Sequence, residues 1–367
     1  MHISELKAKN FRLLKDIDIE LNSGMNIFFG PNAQGKTTLL EAIRLISTGR
    51  SFITNTLKEI ITFENDHFFL KANILQNYLP VEIKFGFGES KKIIQVNSKP
   101  LKNLSDLIGI VDSVLFVPDD FNLVTGSPEI KRRYIDIQLS QAKNEYLENL
   151  KAYNKVLKNR NALLKNRNYN KNEMQTWTEE LLKYGTLIIM ERKKSVSNLN
   201  KFANEYLSII SGNKENLKID YKTIGDIETD ANIKNQFRIL MEKTHQSEQK
   251  LGFTLIGPHK DNLEFYINNI NAKKFASRGQ LKSISIALKF AEADNLKLLK
   301  GYYPLFLFDD IFSELDETRK DNILSFIKEE QQTIIVSTNH NRFVSQSNKK
   351  DCCIFEMSNG KISLNSR

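Results

Sequence analysis

The sequence has only two cysteines among its 367 residues, and these two, Cys352 and Cys353, are adjacent. Adjacent cysteines cannot supply the two separated pairs of a zinc site, and a scaffold held together by disulfides is excluded. Reduced thiols are the ordinary state in the cytosol, where we expect this protein to act. The five histidines are scattered, so no metal-binding cluster is visible in the sequence.

Long apolar segments are also missing. The sequence contains no run of eighteen apolar residues, so we expect no membrane-spanning helix. The first twelve residues carry four charged side chains with no apolar segment behind them, so we expect no secretory signal. Lys and Arg outnumber Asp and Glu by 53 to 44, a net charge of +9. This excess favours an anionic partner such as nucleic acid, although excess charge also serves solubility.

The segment from Met25 to Leu45 is the most informative part of the chain. Its first five residues are an apolar run that is typical of a buried strand, and apolar residues recur at a helical period after Thr38. The intervening residues 30–37 read GPNAQGKT and match the pattern G-x-x-x-x-G-K-[ST]. This motif requires a strand before it and a helix after it, and the sequence predicts both.

Each residue type in this loop suits phosphate binding. Glycines allow a sharp turn and bring backbone N–H groups close to phosphate oxygens, and the helix that follows adds the positive end of its dipole. The lysine offers a charge to the β- and γ-phosphates, and the following threonine offers a hydroxyl to Mg²⁺. A glycine turn that matches by chance is the less favoured alternative. The predicted nucleotide-binding residues are Gly30, Pro31, Asn32, Ala33, Gln34, Gly35, Lys36, Thr37 and Thr38.

A second apolar segment, residues 305–308, runs into Asp309 and Asp310. Four apolar residues in a row predict a central strand whose carboxyl end delivers two carboxylates. In a P-loop ATPase the first carboxylate holds Mg²⁺ and the second acts as a base toward the attacking water. The alternative is an acidic strand end that faces solvent.

A short turn of Ser277, Arg278, Gly279 and Gln280 precedes an amphipathic helix. Small residues at the start of a helix form a second anion-binding geometry. Taken alone, this turn is weak evidence of anion binding, because helix caps have the same composition.

The remaining segments predict two further structural parts. Alternating residues at 2–8, 17–21, 68–75, 81–87 and 92–96 predict an antiparallel sheet beside the P-loop unit. In the link at 114–134, Asp119 and Asp120 either face the nucleotide or belong to a helix cap or surface loop.

Residues 128–212 predict a helical arm of two antiparallel legs with a break at 166–172, each leg roughly 50–60 Å long. Leu150, Leu157 and Leu164 mark the apolar stripe of the first leg. The arm tip is basic and has no acidic residue between 149 and 172, which makes it either a DNA-backbone surface or a solvated helix face. The candidate DNA contacts are Lys151, Lys155, Lys158, Arg160, Lys165 and Arg167.

The three motifs together resemble the ABC-type ATPases of the SMC class, in which the S-x-G-Q turn contacts the γ-phosphate held by the other subunit. Residues 313–316, SELD, match the D-loop of that class. More narrowly, the chain is similar to the RecF family of bacterial recombination proteins. The matching segments occur in order over nearly the whole chain: GPNAQGKT, FVPDD, GSPEIKRRYID, IGPHKDNLEFYIN, FASRGQLK and FDDIFSELD.

This resemblance implies ATP and Mg²⁺ as ligands and an ATP-dependent homodimer on duplex DNA or a single-strand/duplex junction. It also implies slow hydrolysis and action with RecO and RecR to help load RecA at gaps, in the cytoplasm and on the nucleoid. Arg12 matches a family arginine near the nucleotide. In segment 336–341 either Asn339 or His340 fills the place of a switch histidine, or neither does. Arg278 replaces the small residue of the general ABC signature.

We therefore predict an α/β ABC-type P-loop ATPase head with an antiparallel β-subdomain and an inserted helical arm. Its parts are residues 1–127 and 250–367 of the head and 128–249 of the arm. The alternative is an SMC-type or other ABC-type head of a different DNA-repair assembly, although a true SMC head needs far longer coiled coils. A transporter subunit would have a much shorter distance between P-loop and signature, and a small-molecule kinase would lack the S-x-G-Q turn.

Overall fold

A computed structural model describes residues 1–76, 79–166, 169–223, 232–314, 317–338 and 352–366, with the backbone alone at 313, 314 and 318. Contacts group the chain into two compact units. The first unit is Met1–Asp119 with Glu292–Arg367, and the second is Asp120–Ala291. The division of the chain into 1–127, 128–249 and 250–367 stays a prediction.

The strands are β1 His2–Phe11, β2 Leu14–Glu20, β3 Met25–Phe29, β4 His67–Gln76, β5 Leu79–Gly88, β6 Lys91–Val96, β7 Lys99–Pro100, β8 Ser113–Phe116, β9 Leu217–Lys222, β10 Asn262–Ile267, β11 Ile270–Asn271, β12 Leu305–Asp309, β13 Thr333–Ser337, β14 Cys352–Ser358 and β15 Lys361–Ser366. The helices are α1 Lys36–Thr48, α2 Asn122–Thr125, α3 Pro128–Ala142, α4 Asn144–Lys165, α5 Lys171–Ile210, α6 Ile233–Leu251, α7 Ala272–Phe275, α8 Arg278–Lys300 and α9 Glu317–Phe326. No helix within the described part of the chain is long and apolar enough to cross a membrane.

The central sheet of the first unit has the strand order β15-β14-β3-β13-β12-β8. Its strands pair in parallel except β15, which is antiparallel to β14. Strand β12 is buried along its whole length between β13 and β8, which confirms that the apolar run before Asp309 is a central strand. Because β3 and β12 are parallel, their carboxyl ends meet at the same edge of the sheet.

The second sheet of this unit is antiparallel, in the order β2-β1-β4-β5-β6-β7, and confirms the strands predicted from alternation. Helix α1 contacts strands of both sheets, including β12 and β13 on one side and β1 and β4 on the other. Leu39, Leu40 and Ile46 of this helix are fully buried. Contacts with both sheets fix the position of this helix and so hold the start of α1 at the sheet edge.

The helical arm is built differently from our prediction. The first leg is not a single long helix, because Lys143 between α3 and α4 has extended backbone angles (φ −138°, ψ 112°). Helix α4 therefore has 22 residues, about 33 Å, whereas α5 has 40 residues, about 60 Å. The buried stripe of α4 also runs along Tyr146, Tyr153 and Val156, while Leu150 and Leu157 are only partly buried.

Arg160 of α4 is one of the largest buried side chains, with 1% of it exposed. Its Nη2 atom donates to Glu248 of α6 at 2.7 Å, and its Nη1 atom donates to the hydroxyl of Thr254 at 2.7 Å. Its Nε atom donates to the hydroxyl of Thr178 in α5 at 3.1 Å. The guanidinium therefore joins three helices inside the arm. Our prediction that Arg160 contacts DNA is wrong in this structure, because its side chain is buried. Helical spacing alone does not reveal which basic residues of the arm face inward.

We expect Arg160→Ala to lower the free energy of unfolding by roughly 3–5 kcal/mol, because the change leaves the carboxylate of Glu248 buried without its cation. Lys158→Ala is a matched control, since it removes a positive charge two residues away from an exposed position of the same helix. We expect that variant to change stability by less than about 0.5 kcal/mol. Denaturant unfolding of both variants measures the difference, and equal stabilities would contradict the structural role of Arg160.

Candidate nucleotide-binding site

The loop between β3 and α1 has two glycines that the backbone requires for different reasons. Gly35 precedes α1 with φ 100° and ψ 9°, a left-handed conformation that side chains other than glycine rarely adopt. At Gly30 an added Cβ would lie 2.3 Å from the backbone oxygen of Met357 on β14. The first glycine of the motif thus permits close packing against the neighbouring strand, and the second permits the turn into the helix.

Lys36 is held within the loop by two backbone carbonyls. Its Nζ atom donates to the oxygen of Gly30 at 2.5 Å and to that of Pro31 at 2.7 Å. Burial lowers the pKa of this lysine, while the carboxylates of Asp310 and Asp309 act in the opposite direction. The ammonium group is therefore positioned by the loop itself, at the place where a phosphate-binding loop needs its cation.

Thr37 and Asp309 meet although they are 272 positions apart in sequence. The hydroxyl of Thr37 donates to Oδ1 of Asp309 at 3.0 Å. Burial raises the pKa of Asp309, and the hydrogen bond from Thr37 opposes that shift. One hydroxyl and one carboxylate side by side fit Mg²⁺, which is bound in nucleotide sites by few protein ligands together with phosphate oxygens.

Asp310 follows directly and has a left-handed backbone conformation, with φ 47°. Its amide donates to the oxygen of Val336 on β13 at 3.1 Å, so the turn is tied to the neighbouring strand. A non-glycine residue in this conformation costs of order 1–2 kcal/mol. Such local strain is concentrated at functional sites, in agreement with a role for this carboxylate at the sheet edge.

The S-x-G-Q turn at residues 277–280, called the signature turn below, forms a reciprocal cap at the start of α8. The amide of Gln280 donates to the hydroxyl of Ser277 at 3.2 Å, and the amide of Ser277 donates to Oε1 of Gln280 at 2.9 Å. The helix-cap interpretation of this turn is therefore correct as local structure. Ser277 and Arg278 are exposed, so the cap leaves both side chains accessible, and the predicted contact with nucleotide stays a prediction.

Arg12 lies in the turn between β1 and β2 and pairs with α1. Its Nε and Nη2 atoms donate to the two carboxylate oxygens of the buried Glu41, at 2.5 and 3.0 Å. Ser51 donates to the same carboxylate. Arg12 is thus bound to the helix that follows the P-loop, and its predicted place near the nucleotide stays a prediction.

The other predicted residues have varied surroundings. Asp119 is exposed, and Asp120 forms an ion pair with Lys289 at 3.5 Å. Of the basic arm residues, Lys151 pairs at 2.8 Å with Glu148, which directly precedes the acid-free stretch 149–172. The others that the structure describes at the surface are Lys155, Lys158 and Lys165. The predictions for Arg167, for Asn339 and His340, and for part of the D-loop (315–316) fall outside the described residues.

Sequence reasoning missed a contact between the P-loop and the turn that joins β14 to β15. The amide of Asn359 donates to Oε1 of Gln34 at 2.5 Å, and the amide of Gly360 donates to the backbone oxygen of Gln34 at 3.2 Å. Gly360 has φ 73°, and a Cβ added there would lie 1.9 Å from the backbone oxygen of Leu13. The Asn-Gly pair signals a hairpin turn, but nothing local signals its partner.

The parallel sheet with a P-loop after one strand and two carboxylates after another, the separate signature turn and the antiparallel sheet define an ABC-type ATPase head. A family model described as the RecF/RecN/SMC N-terminal domain matches residues 2–363. The DNA replication and repair protein RecF of Clostridium novyi (strain NT) is 38% identical over 340 residues, which cover 92% of this chain and 93% of that protein.

Two solved structures agree with this comparison. The recombination mediator protein RecF with ATP, from the RecFOR pathway, is 30% identical with a TM-score of 0.89, and the match covers 100% of this chain and 98% of that one. An Smc head bound to the C-terminal winged-helix domain of ScpA has a TM-score of 0.59 at 14% identity, covering 100% and 98% of the two chains, and it shows the fold alone. The chain belongs to the RecF family.

We expect Gly360→Ala to weaken nucleotide binding roughly tenfold, about 1.4 kcal/mol, because the added methyl group must displace the turn that supports Gln34. Gly301→Ala is the matched control: Gly301 also has a positive φ, 83°, but no atom lies within 4 Å of its added Cβ. Titration with a fluorescent ATP analogue measures both affinities, and thermal melting measures the strain that both variants share. Equal affinities would show that the turn does not support the P-loop.

Proposed function

We propose that this protein is an ATP-dependent DNA-binding protein of recombinational repair and replication-fork maintenance. The observation that carries the proposal is the contact between Thr37 and Asp309 beside the buried Lys36, because these residues bring two magnesium ligands and a phosphate-binding cation together. Membership of the RecF family supports the link to DNA repair, and a solved relative that holds ATP supports the choice of nucleotide.

In the proposed cycle the P-loop of one copy binds ATP and the signature turn of a second copy covers the γ-phosphate. Mg²⁺, when bound by Thr37 and Asp309, neutralises phosphate charge. Lys36 binds the β- and γ-phosphate oxygens, and Asp310 accepts a proton from the attacking water. The exposed position of Ser277 supports this arrangement, since a residue that acts on another copy must be accessible. The switch role of His340 or Asn339 belongs to the same proposal.

In this scheme ATP controls the affinity of the protein for DNA, and the ATP site performs no chemistry on the DNA. Dimerisation around two ATP molecules closes the protein on duplex DNA or a single-strand/duplex junction, and slow hydrolysis releases it. The proposed partners are RecR with RecO, and through them RecA at gaps, in the cytoplasm and on the nucleoid. The net charge of +9 supports an anionic polymer as a partner.

We expect ATP with Mg²⁺ to increase affinity for DNA, and added salt to reduce it, because phosphate contacts release counterions. Fluorescence-anisotropy titrations on junction, single-stranded and duplex DNA at several salt concentrations measure both effects. Lys155→Ala with Lys158→Ala should weaken binding to all three DNAs and reduce the salt slope by about one per lysine in contact. DNA affinity that does not respond to ATP would contradict the proposed control.

We expect gel filtration with ATP and Mg²⁺ to show a dimer that Ser277→Ala abolishes, because the change removes the hydroxyl that reaches the second copy's nucleotide. Asp310→Asn should prolong the dimer, since binding remains while the base for hydrolysis is lost. Lys36→Arg should lose hydrolysis. Wild-type protein that remains monomeric with ATP, Mg²⁺ and DNA together would refute the shared site.

A further inference from the structure

We propose that the groove between α5 and α6 near the tip of the arm, called the arm-tip groove below, binds an unpaired nucleobase of DNA. The inference rests on the proposed function as a DNA-binding protein and deepens it, because it names the part of the DNA that the arm recognises. All residues of the groove belong to the second unit of one copy of the chain.

Two side-chain bridges close the ends of the arm-tip groove. At one end the guanidinium of Arg238 on α6 donates to both carboxylate oxygens of Glu179 on α5, with Nη2 and Oε2 2.8 Å apart. Eleven residues further along α6, Nε2 of Gln249 donates to the hydroxyl of Tyr169 at 2.6 Å. Eleven residues of helix span about 16 Å. The cavity has a volume of about 450 Å³, which lies in the range of sites for small organic ligands.

The floor of the groove is apolar. Met174 and Leu182 of α5 and Met241 of α6 line it, and all three side chains are buried. A thioether adapts its shape to a neighbour and makes favourable contacts with aromatic rings. Every nucleobase has a flat π-face, so stacking on such a surface does not depend on the base sequence. The floor therefore suits the face of any of the four bases.

The two sides of the groove offer hydrogen bonds. Gln175 of α5 and His245 of α6 line the cavity, and neither side chain has a hydrogen-bond partner within the part of the chain that the structure describes. An amide presents a donor and an acceptor, and so does a neutral imidazole. The edges of bases present the complementary groups. An apolar floor between such sides favours a flat polar heterocycle over a purely apolar ligand.

The charges around the groove separate the place of a base from that of its phosphates. Glu242 lines the cavity and disfavours a phosphate inside it. Lys171, the first residue of α5, also lines the cavity and is exposed. The exposed Lys165 lies at the same end of the arm, because its Cγ atom is 3.6 Å from a Cβ added at Gly252, directly after α6. A nucleotide can thus place its base in the groove and its phosphate beside these lysines.

The groove distinguishes paired from unpaired DNA by cost. A base of a duplex has to be unpaired and unstacked before it can enter, whereas a base of a single strand is already accessible. The arm-tip groove should therefore contribute to the binding of a single-strand/duplex junction and contribute nothing to the binding of continuous duplex.

Blocking the groove tests this assignment. Gln175→Trp should lower the affinity for junction DNA roughly tenfold, because the indole occupies the place of the base, and should leave the affinity for duplex unchanged. Thr176→Trp is the matched control, since it adds the same side chain at the next exposed position, which does not line the groove. Fluorescence anisotropy with and without ATP and Mg²⁺ measures the affinities, and thermal melting checks that both variants fold.

Changes in the DNA locate the bound base. A junction in which one overhang nucleotide is abasic should bind wild-type protein roughly tenfold more weakly when that nucleotide is the one whose base enters the groove. Gln175→Trp should weaken binding of that abasic junction no further. With 5-iodouracil at the same position, photo-cross-linking and mass spectrometry should place the cross-link within residues 169–182 or 238–249.

Three results would overturn the inference. They are equal junction affinities for the two Trp variants, no effect of an abasic nucleotide at any overhang position, and cross-links that all lie outside these two segments. Weaker binding of RecR to Gln175→Trp together with unchanged binding of DNA would assign the groove to a protein partner instead. All of these leave the proposed function intact when ATP still raises the affinity of the wild type for DNA. Wild-type protein that binds no DNA would refute both.

Discussion

The site depends on one alignment: parallel strands that end at the same level of a single sheet. Asp309 on β12 is paired in register with Val336 on β13, and Val336 is paired with Phe28 on β3. Strands β12 and β3, which lie on either side of β13, therefore end within one position of each other. The loop after β3 leads into α1, and Thr37 in its first turn can donate a hydrogen bond to Asp309 at 3.0 Å. A shift of the register by one residue would reverse the side that each side chain faces and would separate the two groups.

Contacts from outside the motif hold this edge in place. The turn after β14 binds Gln34, and β14 itself approaches Gly30 so closely that no side chain fits there. From the other sheet, Arg12 supplies the cation that lets Glu41 be buried within α1. A buried carboxylate without a cation would be strongly destabilising, so this ion pair fixes the helix relative to the turn between β1 and β2. The geometry of the P-loop thus depends on segments near both ends of the sequence.

The sequence was sufficient wherever the signal was local. The glycines and the lysine of the P-loop, the apolar strand before Asp309 and the alternating strands of the second sheet each follow from a pattern within a few residues. The sequence was insufficient where a distant partner decided the outcome. Arg160 looks like one more basic residue of the arm until Glu248 and Thr254 pack against it, and the contact between Gly360 and the P-loop joins segments 326 positions apart. The extended backbone at Lys143 has no proline or glycine to signal it.

Each half of the proposed ATPase site is ordered by its own contacts. The strand register and the turn after β14 order the P-loop half, and the reciprocal bonds of Ser277 and Gln280 order the signature half. Binding is favoured when the partners need little further ordering, because less conformational entropy is lost. In the proposed dimer, ATP therefore has to join two surfaces that are already ordered and does not have to build either one. Assembly of the proposed dimer then depends on bound ATP, which is the property that a nucleotide-controlled switch on DNA requires.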